Sequence, residues 1–194
     1  MSPDRLSEAY RYAAALHASQ LRKGTRIPYI AHLMAVAAIV LEHGGNEDQV
    51  VAALLHDAIE DHPRNGLTRR EIGERFGSRV SAIVEDCTDA DAKPKPPWYD
   101  RKVRYLEHLP KASPDSLLVS LADKVHNTRA ILSDWQQIGN EVWYRFTASK
   151  EDTVWYYRSL ANIYAERLPG PLADELERVV TELERIVETD STAA

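Results

Sequence analysis

Three separate stretches of the chain carry residues that could act together on one cation: His32, the adjacent pair His56 and Asp57, and Asp123. Two imidazoles and two carboxylates combine borderline nitrogen with hard oxygen. That set suits Mn²⁺, Fe²⁺ or Zn²⁺ better than Ca²⁺ or Mg²⁺, which favour oxygen alone. No cysteine-rich ligand set accompanies them, which argues against a structural zinc site. A divalent ion held this way keeps positions open for water and makes it acidic enough to attack phosphorus. Glu60 and Asp61 follow closely. Residues four apart share a helix face, so a helix through this stretch stacks Glu60 over His56 and Asp61 over Asp57. Carboxylates unpaired at the end of a buried helix are unfavourable, and a cation satisfies them.

Helices must do the positioning. Ser2-Pro3 reads as a cap with proline at the first helical position, opening a helix to about Gln20. Leu21 to Pro28 is a polar loop. A second helix starts near Pro28, carries His32 in its first turns and ends at Gly44-Gly45. Asn46 and Gln49 form a capping box for a third helix, which bears His56, Asp57, Glu60 and Asp61. Thr68 and Glu71 predict another capping box, opening a helix that stops near Gly77. A helix over 78–87 follows. Residues 88–97 break the pattern with three prolines and two lysines, as either a connector or a lid from which Lys93 and Lys95 reach an anion. Helices are expected over 98–109 and from Ser113-Pro114 through Asp123 and beyond, then one or two over 141–167. Leu172, Leu176, Val179, Leu183 and Ile186 mark a last amphipathic helix, docked on the domain or pairing with a second copy as a homodimer. No strand pattern, internal repeat or low-complexity tract is present. The expectation is an all-α chain with one domain over 1–168 and a C-terminal helix and tail over 169–194.

Composition narrows the function classes. The chain has 194 residues, 44% of them hydrophobic, with four Trp, enough for a packed core rather than disorder. A net charge of −6 disfavours a general nucleic-acid binder. It leaves room for an anionic small molecule bound by a local cluster of cations. No apolar stretch is long enough to predict a membrane span. Cys87, the single cysteine, reads as a small buried hydrophobe. With an N-terminus that lacks the order of a secretion signal, it predicts a cytoplasmic protein.

The spacing His32…His56-Asp57…Asp123 resembles the H…HD…D signature of the HD superfamily of metal-dependent phosphohydrolases. The flanks sharpen the likeness. Gln20-Leu-Arg-Lys23 with Pro28-Tyr-Ile-Ala-His32, Leu54-Leu-His-Asp-Ala-Ile-Glu-Asp61 and Leu121-Ala-Asp-Lys-Val-His-Asn-Thr-Arg129 are similar to the hydrolase domain of the RelA/SpoT group, and most to its small alarmone hydrolases. The likeness runs from about residue 5 to 168.

That resemblance implies Mn²⁺-dependent hydrolysis of the 3′-pyrophosphate of guanosine tetra- or pentaphosphate. Other divalent transition metals remain open. It implies that His32, His56, Asp57 and Asp123 hold the metal and that Glu60 and Asp61 position or deprotonate the attacking water. Arg22 and Lys23 match cations beside the nucleotide, Asn127 a contact to sugar or phosphate, and Tyr157 an aromatic of the nucleotide pocket. Lys124, beside Asp123, counts as a substrate contact or as a neutraliser of the acidic cluster. The segment Gly24-Thr-Arg-Ile27 departs from the usual pattern, which bears on base recognition rather than on the metal. Two rivals stay open: an HD phosphohydrolase for another nucleotide, and a catalytically silent nucleotide sensor.

Overall fold

Proline and polar caps set most of the helix starts. The computed structural model describes residues 1–92 and 94–192. Lys93, one of the two lysines expected to reach an anion, lies outside the described residues. Among these, ten α-helices follow one another: α1 (Pro3–Leu16), α2 (Ile30–Glu42), α3 (Glu47–Leu55), α4 (Ala58–Asp61), α5 (Leu67–Phe76), α6 (Ser78–Cys87), α7 (Trp98–His108), α8 (Pro114–Ile138), α9 (Lys150–Arg167) and α10 (Pro171–Thr192). The described residues form no sheet; one isolated bridge joins Leu21 to Pro28. The fold is all-α, and no described helix is long and apolar enough to cross a membrane.

The expected cap at α3 is present in full. The Asn46 backbone N–H donates to Gln49 Oε1 at 2.8 Å, and the Gln49 N–H donates to Asn46 Oδ1 at 3.2 Å. At α8 the Ser113 hydroxyl accepts from the Ser116 N–H at 3.2 Å. The predicted box at Thr68 and Glu71 does not form. The Thr68 hydroxyl donates instead to the His62 carbonyl, and Glu71 pairs with Arg64 and Tyr12. α5 begins at Leu67, two residues earlier than a Thr68 cap would start it, after left-handed residues at Arg64 (φ 46), Asn65 (φ 55) and Gly66 (φ 82).

The residues group into two compact units, Met1–Asp123 and Lys124–Ala194. The first is built around α3, which packs against α1, α2 and α6. Val50, Val51, Ala52, Ala53, Leu54 and Leu55 are all buried, so this helix is apolar on every side. Each large apolar side chain buried here contributes roughly 1.5–3 kcal/mol. That anchorage offsets the cost of holding polar groups at the helix end.

In the second unit, α10 packs on α9. Leu183, Ile186 and Val187 join Ile131, Val142, Trp143 and Val154 in one cluster. The buried stripe of α10 uses Val180 rather than the expected Val179, because the face continues from Leu172 and Leu176 in steps of four. Arg158 ties the pair together, reaching Glu177 and Glu184, each at 2.6 Å.

Candidate metal centre

The helix expected to run through His56, Asp57, Glu60 and Asp61 is interrupted. α3 ends at Leu55, and Asp57 (φ −94, ψ −2) leaves the helical path before α4 begins. The Asp61 N–H still donates to the Asp57 carbonyl at 2.9 Å, so the four-residue spacing survives across the break. Asp57 occupies the N-cap position of α4, yet its side chain caps nothing. It turns toward the two imidazoles instead.

There the four expected ligands meet. His56 Nε2 lies 3.0 Å from Asp57 Oδ2 and 3.5 Å from Asp123 Oδ1. His32 Nε2 lies 3.2 Å from Asp123 Oδ1 and 3.5 Å from Asp57 Oδ2. The two Nε2 atoms are 3.2 Å apart. Ligand atoms bound about 2.1 Å from one ion stand about 3.0–3.4 Å from each other, so the donors fit a single small cation. His32, His56 and Asp123 are buried, each 5% exposed or less.

Hydrogen bonds aim the donors. His56 Nδ1 donates to the Ala53 carbonyl at 2.8 Å, leaving Nε2 as a lone pair toward the cluster. Tyr29 donates its hydroxyl to Asp57 Oδ2 at 2.5 Å and lies edge-on to the His32 ring. Burial, and then the Asp57 carboxylate, push the Tyr29 phenol far up, so it remains a donor. Burial would push His56 down and Asp57 up. Their mutual attraction overrides it, with Asp123 adding to the pull on His56 and the His32 hydrogen bond adding to that on Asp57, and it holds His56 well above the usual imidazole range and Asp57 well below the usual carboxylate range. The field that draws a proton to His56 also draws a divalent cation. A His32–His56–Asp57 cluster able to coordinate a divalent metal is therefore present.

Glu60 and Asp61 project from α4 toward Lys95, whose ammonium lies 2.7 Å from Glu60 Oε1 and 3.7 Å from Asp61 Oδ1. The loop carrying Lys95 is pinned at its start, where Asp89 accepts from Arg101 and Lys102, each at 2.6 Å. Arg22 and Lys23 sit in the turn closed by the Leu21–Pro28 bridge, where the Arg22 N–H donates to the Ile27 carbonyl at 2.8 Å. Lys124 and Asn127 continue α8 beyond Asp123, and Tyr157 on α9 packs half-buried against the second unit's cluster. Tyr29 went unrecognised in the sequence. Its signal was its place three residues before His32, which puts the two side chains on one face.

The HD domain family matches residues 9–155, and the chain belongs to that family. Within it, the chain is related to the RelA/SpoT-type alarmone hydrolases. It is 43% identical over 125 residues to the guanosine-3′,5′-bis(diphosphate) 3′-pyrophosphohydrolase MESH1 of Xenopus tropicalis, covering 63% of this chain and 66% of that one. It is 42% identical over 127 residues to the protein of the same name from Homo sapiens, covering 64% and 68%. A solved structure described as a metazoan ortholog of SpoT that hydrolyzes ppGpp shares the fold. Its TM-score is 0.76 at 24% identity, over 94% of this chain and 97% of that one.

Proposed function

We infer that the protein is a metal-dependent 3′-pyrophosphohydrolase of guanosine tetra- and pentaphosphate, releasing pyrophosphate and GDP or GTP. The observation that carries this reading is the convergence of His32, His56, Asp57 and Asp123 at 3.0–3.5 Å beside the Glu60–Asp61 pair. This arrangement sits in a chain 43% identical to a protein named for that reaction.

The proposed ligands are His32 Nε2, His56 Nε2 and the carboxylates of Asp57 and Asp123, with Mn²⁺ as the proposed ion. When bound, such an ion supplies Lewis acidity to a water and to the phosphoryl oxygens. The chain does the rest. Asp57 and Asp123 neutralise the ion's charge, and Tyr29 holds Asp57 in place. Glu60 and Asp61 orient the attacking water, and Glu60 takes its proton, because burial keeps that carboxyl more basic than usual. Arg22 and Lys23 bind the polyanionic end of the nucleotide. Lys124, Asn127 and Tyr157 keep their expected roles as substrate contacts on the strength of the resemblance alone. We assign 1–168 to the hydrolase domain and 169–194 to a C-terminal helix and tail. A cytoplasmic setting fits the buried Cys87, which is in no disulfide.

The test is product identification. Metal-stripped protein is incubated with guanosine tetraphosphate, with and without Mn²⁺. Guanosine diphosphate with intact pyrophosphate, formed only with metal, is the expected result. The Gly24–Ile27 turn favours one second reading, a different nucleotide at the same metal centre. Turnover of another nucleotide with none of guanosine tetraphosphate would establish it. Tight binding without turnover at any metal would leave a sensor.

A further inference from the structure

Gln20 closes a set of contacts that the proposed chemistry leaves unused. Its side-chain nitrogen donates to Asp61 Oδ2 at 2.7 Å. A carboxylate only accepts, so the amide orientation is fixed: nitrogen toward Asp61, oxygen away. That oxygen lies 2.7 Å from His17 Nδ1 and 3.3 Å from His62 Nε2. Two imidazoles thus hold the amide from behind. His17 and His62 meet edge to face with centroids 4.8 Å apart, and His17 stacks on Tyr29 at 5.2 Å.

The backbone is clamped as well. The Gln20 N–H donates to the His17 carbonyl at 3.0 Å, and the Gln20 carbonyl accepts from the Tyr29 N–H at 2.9 Å. His17 is 3% exposed, and its Nε2 meets no hydrogen-bond partner among the described residues. Burying such a group without a hydrogen bond is unfavourable. A leucine or phenylalanine at position 17 would fill the space without that cost. What the imidazole adds that an apolar ring would not is the hydrogen bond from Nδ1 to Gln20.

We propose that Gln20 is a positioning residue for Asp61, holding its carboxylate for the reacting water, and that His17 and His62 serve by locking the Gln20 amide. The catalytic part rests on the hydrolase reading above; the clamp itself does not.

Two measurements separate these. The first uses isotope-labelled, metal-free protein and no substrate. The side-chain amide protons of Gln20 should be shifted and slow to exchange, and should return to ordinary positions in Asp61→Ala. Signals unmoved by that change overturn the clamp, whatever the enzyme hydrolyses. The second is a double-mutant cycle with guanosine tetraphosphate and Mn²⁺. Gln20→Leu should lower kcat about 10–100-fold with KM and bound Mn²⁺ nearly unchanged. In an Asp61→Asn background the same change should cost less than about threefold, because its route is already cut. Equal losses in both backgrounds, or none in the wild type, overturn the positioning role. If Gln20→Leu does not fold, His62→Ala, which removes one of the two locks, is put through the same cycle. Its loss should be smaller and should likewise vanish with Asp61→Asn. A wild type that releases no pyrophosphate removes the hydrolase reading and this role together, while the amide signals still decide the clamp.

Discussion

The ammonium of Lys95 stands 2.7 Å from Glu60 Oε1, reaching from a proline-rich loop onto the carboxylate proposed to accept the proton of water. Burial pushes that carboxyl up, Asp89 and Asp57 push it further, and Lys95 pulls it back. Activity on the acid side should be lost as Glu60 becomes protonated. Lys95→Met removes the restraint, so the acid limb of kcat against pH should move to higher pH. An unmoved limb would separate Glu60 from proton transfer.

His56→Ala and Asp57→Ala should each abolish stable metal binding, read as metal content after gel filtration. Both should reduce turnover by at least about a thousandfold, because the ion supplies the Lewis acidity of the reaction. Full metal-dependent activity in either variant would refute the proposed centre.

Tyr29→Phe tests the support behind the ligands. The ring stays and only the hydrogen bond to Asp57 is lost. Metal affinity, followed by titration calorimetry, should weaken about 10–100-fold with little change in thermal stability, as is usual when a ligand loses its outer partner. Unchanged affinity would make the contact incidental.

Asp89 gives a pH dependence of stability. Burial pushes its carboxyl up, but Lys102 and Arg101 outweigh this and hold it below the usual carboxylate range. A carboxylate depressed on folding stabilises fully above its unfolded value and loses that contribution as pH falls through its folded value. Asp89→Asn should therefore cost roughly 3 kcal/mol at neutral pH, since it removes the buried carboxylate that faces two cations, and should flatten the acid limb of urea-melt stability. A variant that keeps the wild-type acid limb would place the dependence elsewhere.

Asn46→Ala removes the side-chain half of the α3 capping box. It should lower stability by about 1 kcal/mol in chemical denaturation.

Much of this was legible because local signals reported it. Pro3 and Pro114 mark helix starts, Asn46 and Gln49 make their box, and the proposed ligand residues stand out as polar groups at the ends of apolar runs. The break between α3 and α4 was not legible. Val50 to Ile59 is nearly continuous in apolar character, with no glycine or proline in the run to mark a break at Asp57. Thr68 failed as a cap because the His62 carbonyl, fixed by the preceding left-handed turn, claims its hydroxyl. Gln20 was invisible for another reason. Its partner Asp61 lies 41 residues away, and nothing in the spacing of an isolated glutamine announces that distance.

The prolines around Lys95 have an entropic consequence. A flexible loop would spread that lysine over many positions, and a partly exposed ion pair contributes about 1 kcal/mol or less, too little to collect them. Pro94, Pro96 and Pro97 narrow the backbone's alternatives before the chain folds. Part of the ordering penalty is thus removed in the unfolded chain, and a weak ion pair then suffices to keep Lys95 near Glu60.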